Sequence, residues 1–388
     1  MRRFLLFIWL VLHVITGCAQ DIKRIARIEK GLRSQWKTRP SQRMNLVDRM
    51  AFYKVPGLSM AMIDKNKIVW TRTYGLIESG RPDMVTSSTL FQSGSIGKAV
   101  IATAALQLVE QGSLLLDVPA NQYLKSWRIP DNSFTRRTPV TLRQLLSHTA
   151  GVNLPGVIGY QVDEALPDLI QILNGSPPAN TPPIVVDRVP QTKFSYSGGG
   201  YMIVQQLIMD GYEQAATFPE IMDKQVFKPA GMLSTSFDYS PDISGYEVAS
   251  GHRATGNPLA GKWYRYPEMG MGVFWTTPTD MARFLIQIME AYQGCNNQLL
   301  SEELVRAMLY SYSEDQGLGF KLGDDGKDRF YIYHRGAVEG FQTFMVAYPM
   351  KKQGVVIMTN SDQGWPLIQE IIKSISIEYK WVAGFYLP

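Results

Sequence analysis

Residues 91–98 read Phe91-Gln92-Ser93-Gly94-Ser95-Ile96-Gly97-Lys98, and the interpretation of this sequence depends on them. They lead into a segment, Ser95 to Gln111, whose small and aliphatic residues recur at helical spacing, and Gly112 is a natural stop. The pattern predicts a buried helix that begins at Ser95. Because three positions along a helix put both side chains on one face, the Lys98 amine can reach the Ser95 hydroxyl. A serine hydroxyl becomes a good nucleophile when a neighbouring base takes its proton.

The helix start also suits the chemistry that such a pair would need. A lysine amine can act as a base where burial or nearby positive charge lowers its pKa, and an apolar helix start supplies burial. The helix N-terminus offers backbone N–H groups to a developing oxyanion. Alone, however, Ser-x-x-Lys is a weak signal. Ser95 can equally be a helix N-cap, and Lys98 a solvated lysine of the first turn.

Other catalytic signatures are missing from the sequence. It contains no Gly-x-Ser-x-Gly elbow, no His-Glu-x-x-His, no Walker loop and no dinucleotide fingerprint. Its four histidines and two cysteines show no ligand spacing. We therefore expect neither a metal ion nor an organic cofactor.

Strand-forming segments lie towards both ends of the chain, and helical segments lie between them. The predicted elements are a surface helix (Ile22 to Trp36), a hairpin (Leu58 to Ile63 with Lys67 to Tyr74), two further strands (Phe341 to Tyr348 and Gly354 to Thr359) and a closing helix (Leu367 to Tyr379). We expect an α/β (α+β) fold with an antiparallel sheet flanked by helices. Residues 18–114 and 259–388 would form it, with residues 115–258 as an all-helical insert.

The N-terminus predicts export. Arg2 and Arg3 precede an apolar run from Phe4 to Ile15, which is the length of a signal-peptide core and too short to span a bilayer. Residues 1–17 are therefore expected to be a signal peptide. The run ends before Cys18 in a way that resembles a bacterial lipoprotein signal, with lipidation of that cysteine; cleavage after Ala19 is the alternative. The protein is then expected in the cell envelope, with membrane contact only through the lipid on Cys18.

The net charge and the second cysteine limit which partners are expected. The formal net charge is +5, and removal of the leader leaves 37 basic against 34 acidic residues, without a Lys/Arg run. Nucleic acid is therefore not expected as a partner. We expect a small-molecule substrate, and we expect the protein to be a monomer. With Cys18 lipidated, Cys295 has no partner for an intramolecular disulfide and is expected to be a buried, inert thiol.

Further motifs follow residues 91–98 in order. They are Leu145-Leu146-Ser147-His148-Thr149-Ala150-Gly151, Phe194-Ser195-Tyr196-Ser197-Gly198, Met271-Gly272-Val273, Thr277-Pro278-Thr279-Asp280-Met281-Ala282 and His334-Arg335-Gly336. Together the motifs resemble those of the serine β-lactamase and penicillin-binding protein superfamily. The resemblance is to the branch that contains class C β-lactamases, family VIII esterases and D-aminopeptidases, and it covers about residues 45–360.

This resemblance implies a β-lactamase/transpeptidase-like fold and a set of roles. Ser95 would be the nucleophile, Lys98 and Tyr196 the acid/base pair, and His334 a neighbour on a strand. The backbone N–H groups of Ser95 and Ala337 would form the oxyanion hole, and Gly198 and Gly336 would contact substrate. Which of Lys98 and Tyr196 takes the first proton stays open.

The remaining histidines have other interpretations. His148 is expected to be a buried residue that bonds loop backbone, and His252 to be structural or exposed. A triad of Ser95 and His334 with Asp280 or Asp362 is the less favoured alternative.

Two departures from the family pattern bear on substrate. Gly198 stands where β-lactamases usually have asparagine, and His334 where they usually have lysine, so a permanent cation becomes a group with an ordinary pKa near 6.5. We therefore expect a serine hydrolase that acts through an acyl-enzyme on an ester or small amide. Its activity should fall below about pH 6 as Lys98, Tyr196 and His334 gain protons.

Two alternatives to this function stay open. The alternative among enzymes is a penicillin-binding carboxypeptidase or a weak class C-like β-lactamase. From another class it is a non-catalytic module that binds or senses cell-wall fragments.

Overall fold

The computed structural model describes residues 21–33, 43–240, 245–295, 298–324 and 330–381. The predicted signal peptide and Cys18 lie outside these residues. Within them, no helix is both long and apolar enough to cross a membrane.

A six-stranded antiparallel sheet in the order β4-β3-β10-β9-β8-β7 forms the centre of the fold, and two short strand pairs, β1 with β2 and β5 with β6, accompany it. The strands are β1 (Leu32–Arg33), β2 (Arg43–Met44), β3 (Gly57–Asp64), β4 (Lys67–Gly75), β5 (Phe91–Gln92), β6 (Trp275–Thr276), β7 (Lys321–Gly323), β8 (Tyr331–Val338), β9 (Phe341–Tyr348) and β10 (Gln353–Thr359). The expected antiparallel sheet flanked by helices is thus confirmed.

Helices cover both faces of this sheet. They are α1 (residues 21–29), α2 (Leu46–Tyr53), α3 (Lys98–Glu110), α4 (Leu142–Leu146), α5 (Leu169–Asn174), α6 (Gly198–Gly211), α7 (Phe218–Met222), α8 (Pro278–Tyr292), α9 (Glu302–Met308) and α10 (Gly364–Glu378). Single 3₁₀ turns span Gly94–Gly97, Ala120–Gln122, Met269–Met271 and Pro349–Lys351, and a π-helical turn spans Asp223–Phe227. The helices α4 to α7 fall within residues 115–258, but the division of the chain into domains at these boundaries stays a prediction.

The sheet is buried on both faces because its strands alternate between two cores. In β10, Val355 and Ile357 pack with α1, α2 and α10, whereas Val356 and Met358 join the larger core that contains α3 and α8. Each fully buried aliphatic side chain of this kind contributes roughly 1.5–3 kcal/mol. The sheet therefore holds β8, which carries His334, in a fixed position against the 3₁₀ turn Gly94–Gly97.

The predicted hairpin is confirmed, with a two-residue turn. Asp64 pairs with Lys67, and both Lys65 and Asn66 between them have φ of 55°. Positive φ at both central residues is the geometry whose twist matches that of paired strands.

Two expectations outside the site are wrong. The N-terminal helix does not continue to Trp36: it ends before Gly31, and Leu32 enters β1, where its side chain is fully buried. A Cβ on Gly31 would meet the Arg27 carbonyl oxygen at 2.4 Å, so the chain turns there as only glycine allows. Cys295 is exposed rather than buried, because it follows Gly294 (φ 75°) in the turn that ends α8.

Candidate active site

Ser95 and Lys98 meet as their spacing predicts, although Ser95 lies just before the α-helix. Ser95 is in the 3₁₀ turn Gly94–Gly97, and Lys98 is the first residue of α3. Lys98 Nζ donates to Ser95 Oγ at 3.2 Å and to the Met271 carbonyl oxygen at 2.9 Å. Lys98 is fully buried. Its amine is therefore oriented by a backbone acceptor on one side and faces the serine hydroxyl on the other.

Two glycines make the Met271 contact possible. A Cβ on Gly97 would lie 1.9 Å from the carbonyl oxygen of Gly272, and a Cβ on Gly272 would lie 2.4 Å from the backbone nitrogen of Lys98. Gly272 also has φ of 83°, which side chains rarely adopt. The turn Met269–Met271 can therefore lie directly against the start of α3.

Tyr196 lies next to this pair, on the segment that leads into α6. The Lys98 Nζ is 5.2 Å from the centroid of the Tyr196 ring and 5.4 Å from that of Tyr201. The Tyr196 ring packs on His148, with centroids 4.3 Å apart. His148 is buried, its Nδ1 accepts from the Ser197 N–H at 3.2 Å, and burial followed by the charge on Lys98 lowers its pKa well below the usual value. His148 thus bonds loop backbone as expected, and it supports the Tyr196 ring.

The two predicted oxyanion-hole groups lie on adjacent segments. A Cβ on Gly336 of β8 would be 3.1 Å from the Ser95 backbone nitrogen. A Cβ on Gly94, which has φ of 55°, would be 2.8 Å from the Ala337 backbone nitrogen. Glycines at both positions therefore let the Ser95 turn approach the strand that carries Ala337.

His334 projects from β8 into the same buried region, and its environment keeps it neutral. Its Nδ1 lies 2.8 Å from the Arg335 carbonyl oxygen and so carries the proton, whereas Nε2 is buried and has no hydrogen-bond partner in the described part of the chain. Burial, and then the charges on Lys98 and Lys321, lower the pKa of His334 to about 3. The expectation of a group that titrates near pH 6.5 is wrong, because a charged imidazole here would lose its hydration beside two cations.

The alternative triad is not formed. Asp280 accepts bonds from the backbone of Ser234 and from the side chains of Thr235 and Arg283, and Asp362 accepts from the Gly340 N–H. Neither carboxylate bonds His334.

His252 lies apart from the candidate site and is structural. It is buried, its Nδ1 lies 2.8 Å from the Asn360 carbonyl oxygen, and its Nε2 accepts from the Ser79 N–H.

Met271 occupies the space beside Gly198. A Cβ on Gly198 would lie 2.7 Å from Met271 Cε and 3.0 Å from its sulfur. The side chain of Met271 therefore fills the place of the side chain that glycine lacks, and its carbonyl binds Lys98. No sequence signal shows that a backbone carbonyl will accept a hydrogen bond from a catalytic lysine. The motif Met271-Gly272-Val273 therefore pointed to this segment but not to the contact of its carbonyl with Lys98. Lys321, which lies near enough to His334 to lower its pKa, has no motif around it and was also missed.

In the residues that the structure describes, no group of three or more histidine, cysteine or acidic side chains is placed to hold a metal ion.

The comparison with family models decides the family. The model described as Beta-lactamase matches residues 43–371, which include every residue of the site described above. The chain belongs to the beta-lactamase family, a family of hydrolases.

Relatives of this beta-lactamase-family chain differ in how much of their length it covers. Protein flp of Staphylococcus aureus (strain N315) is 21% identical over 341 residues, which are 84% of this chain but 64% of flp. The chain therefore spans less than two thirds of that relative. The D-alanyl-D-alanine-carboxypeptidase/endopeptidase AmpH of Escherichia coli (strain K12) is 25% identical over 350 residues, 84% of this chain and 86% of AmpH.

Solved structures share the fold. The octameric penicillin-binding protein homologue from Pyrococcus abyssi superposes with a TM-score of 0.72 at 22% identity, over 87% of this chain and 76% of that one. The D-alanine carboxypeptidase AmpC from Burkholderia cenocepacia gives a TM-score of 0.66 at 20% identity, over 85% and 96% of the two chains.

Proposed function

We propose that this protein is a serine hydrolase that forms a covalent acyl-enzyme on Ser95 with an ester or small amide. One observation carries the proposal: the buried Lys98 amine lies 3.2 Å from the Ser95 hydroxyl oxygen, with the Tyr196 ring against the same amine. Nucleophilic serines are recognised by a base within hydrogen-bond reach and a third group that orients the base, and the Met271 carbonyl is that third group.

In the acylation step, Ser95 Oγ forms a bond to the carbonyl carbon of the substrate as its proton passes to the Lys98 and Tyr196 pair. The carbonyl oxygen becomes an oxyanion, which the N–H groups of Ser95 and Ala337 would stabilise. When the intermediate collapses, the bond to the leaving alcohol or amine breaks, and the proton returns from the pair to that group. The products are the acyl-enzyme and the protonated leaving group.

Deacylation uses the same groups in the same order. A water molecule replaces the leaving group, gives its proton to the Lys98 and Tyr196 pair and attacks the acyl carbon. Ser95 Oγ then leaves and regains a proton. His334 Nε2, buried and without a partner among the described residues, is an acceptor that can hold a donor of the substrate or the water.

The neutral state of His334 favours esters and small amides over β-lactams. A lysine at this position would offer a permanent cation to a substrate carboxylate, whereas His334 stays uncharged down to about pH 3. Gly198, with Met271 beside it, offers no amide to a substrate side chain. The runner-up is a carboxypeptidase or weak β-lactamase, which the similarity to AmpH favours.

Labelling with a fluorophosphonate tests the proposal directly. The Ser95 hydroxyl displaces fluoride from the reagent and retains the phosphonyl group, so the intact mass of the protein increases by that group. We expect this gain on the wild type and none on Ser95→Ala. A wild type without the gain, or an equal gain on both proteins, contradicts the enzyme and favours the non-catalytic module that binds cell-wall fragments.

A substrate panel separates the two kinds of enzyme. Nitrophenyl esters, nitrocefin and D-alanyl amides are compared by kcat/KM on the same preparation, with Ser95→Ala as the blank. We expect the esters to be the best substrates. Nitrocefin turnover much faster than that of any ester would establish the β-lactamase instead.

We further propose that the protein is exported and held in the cell envelope through a lipid on Cys18. The apolar run from Phe4 to Ile15, which ends shortly before this cysteine, supports the proposal. Expression of the full chain in a bacterial host with a labelled fatty acid should label the wild type and leave Cys18→Ser unlabelled. Secretion of an unlabelled wild type into the periplasm would indicate cleavage after Ala19.

A further inference from the structure

A side pocket opens beside Tyr196 and His334. Its volume is about 160 Å³, and its walls are mostly aromatic. Besides these two residues it is lined by Tyr333, Phe344, Trp365, Lys321 and Arg335. Two of the lining residues, Tyr196 and His334, belong to the candidate site, so the pocket adjoins that site.

The size and walls of the pocket suit one planar ring. Apolar cavities of about 150 Å³ accept benzene. The faces of aromatic side chains attract the edges and faces of other rings, which adds to the burial of apolar area. The pocket therefore fits an aryl group or a planar group of the same size.

Two cations border the pocket without a carboxylate partner. The Arg335 guanidinium lies 4.2 Å over the Trp365 ring and donates to Gln342 Oε1 at 3.2 Å, and Lys321 Nζ lies 4.8 Å over the Phe194 ring. Neither cation forms an ion pair with any residue that the structure describes. A cation stacked on a ring keeps N–H donors available, so both can bond an anion.

The carboxylate of Asp315 lies close enough to the pocket to act on Tyr333. Burial raises the pKa of Tyr333 to about 12, with smaller contributions from Tyr331 and from the carboxylate of Asp315. Asp315 is exposed, and its backbone carbonyl accepts from the Leu322 N–H in β7. The two charged side chains among the lining residues, Lys321 and Arg335, are both cationic.

We propose that this pocket selects substrates in which a planar, ring-sized group carries an anion, with Arg335 and Lys321 holding the anion. This rests on the proposed function only in that the reacting carbonyl must then reach Ser95. The anion is held by these two side chains, on the edge strand β7 and on its neighbour β8, so the neutral His334 is not required to bind charge.

Binding of two nearly isosteric fragments tests the pocket apart from catalysis. Benzoate and benzamide share a ring and differ in charge, and each is titrated into the full protein by ligand-observed NMR. We expect benzoate to bind about tenfold more tightly than benzamide, the ratio that one or two charge-assisted hydrogen bonds give. The preference should decrease as salt is raised from 50 mM to 500 mM, because the site is open to solvent.

Variants assign the preference to named side chains. Arg335→Gln and Lys321→Gln should each lower the ratio towards one, and Asp315→Asn should raise it. Asp315 has φ of 59°, which asparagine tolerates, so this change leaves the backbone intact. Arg306→Gln, which removes an exposed arginine paired with Glu302, is the matched control and should leave the ratio unchanged.

The outcomes separate this inference from the proposed function. Ser95→Ala should keep the benzoate preference even though it loses fluorophosphonate labelling. Equal affinity for the two fragments, or a preference that survives both Arg335→Gln and Lys321→Gln, overturns the anion pocket even where Ser95 is labelled. A protein that prefers benzoate but is never labelled keeps the pocket and loses the hydrolase.

Discussion

A Cβ on Gly97 would stand 1.9 Å from the carbonyl oxygen of Gly272, so these two glycines hold the Ser95 turn and the Met269–Met271 turn in direct backbone contact. The contact delivers the Met271 carbonyl to Lys98. Both glycines belong to sequence motifs, and they lie 175 residues apart in the chain. Their role is therefore positional: neither carries a functional group.

Gly272→Ala should destabilise the fold and slow labelling of Ser95. The new Cβ would meet the backbone of Gly97 and Lys98 at 2.4 Å, and φ of 83° adds strain, so we expect a loss of more than about 1 kcal/mol in the free energy of unfolding. Urea denaturation followed by tryptophan fluorescence measures it. Gly80→Ala is the control: its φ is 84°, but nothing lies within 4 Å of the new Cβ. Equal losses for the two variants would mean that backbone strain alone matters.

Tyr196→Phe should slow acylation by a factor of about 10² to 10⁴, the usual contribution of a positioned acid or base. The ring that packs on His148 is retained, so stability should change little. The measurement is the rate of fluorophosphonate labelling, together with the urea midpoint.

Tyr201→Phe is the matched control for that variant. Its hydroxyl donates to the Leu146 carbonyl oxygen at 3.1 Å, and its ring lies about as far from Lys98 as that of Tyr196. We expect a loss of about 1 kcal/mol in stability and an unchanged labelling rate. The acid/base role of Tyr196 is refuted if both changes slow labelling alike.

Gly198→Asn should be tolerated only when Met271 is made smaller. The added side chain meets Met271 Cε, whereas Met271→Ala alone leaves a cavity and should cost about 2–5 kcal/mol. In the double variant the smaller residue at position 271 removes the clash, and the asparagine side chain fills part of the cavity. We expect the double variant to be more stable than the sum of the single effects by about 0.5–3 kcal/mol, measured as a double-mutant cycle in urea. Strict additivity would show that the two side chains do not share this space.

Glu268→Gln should stabilise the protein at pH 8.5 and lose that advantage by pH 5. Burial raises the pKa of Glu268 to about 7, and neither carboxyl oxygen has a hydrogen-bond partner among the described residues. Above pH 7 the wild type must keep this carboxylate charged, which opposes folding; as the pH falls towards 4.5, the native state binds the proton first and the cost disappears. We expect the difference between the two pH values to be on the order of 3 kcal/mol.

His334 acts in the opposite direction over an overlapping range. Its pKa is lowered from 6.5 to about 3, so the unfolded chain binds the proton first and stability falls as the pH decreases through that window. The lowered pKa of buried His148 acts in the same direction as that of His334. Between pH 7 and 4.5 the wild type should therefore lose less stability than Glu268→Gln, because only the wild type gains stability from the protonation of Glu268. A parallel pH dependence for the two proteins would show that Glu268 ionises normally.

Activity is expected to follow a different pattern from the one that the sequence suggested. A fall below pH 6 cannot come from His334, which stays neutral there.

Local patterns in the sequence determined the elements of the fold and the identity of the candidate groups. Runs of strand-forming residues and the turn residues between them predicted β9 with its observed bounds and the β3–β4 hairpin, because these depend on neighbours in the chain. The spacing of Ser95 and Lys98 predicted their contact, because one helical turn fixes it. The predicted N-terminal helix was too long because the local pattern does not show the close contact at Gly31, where the helix has already ended.

Tertiary structure alone decided the environment of those groups. The Met271 carbonyl reaches Lys98 from a segment 173 residues away, and the neutral state of His334 results from burial beside two lysines. The aromatic pocket with Arg335 and Lys321 likewise combines β7, β8, β9 and α10. Desolvation, charge and close packing depend on which segments meet in space, and residue spacing along one segment does not contain that information.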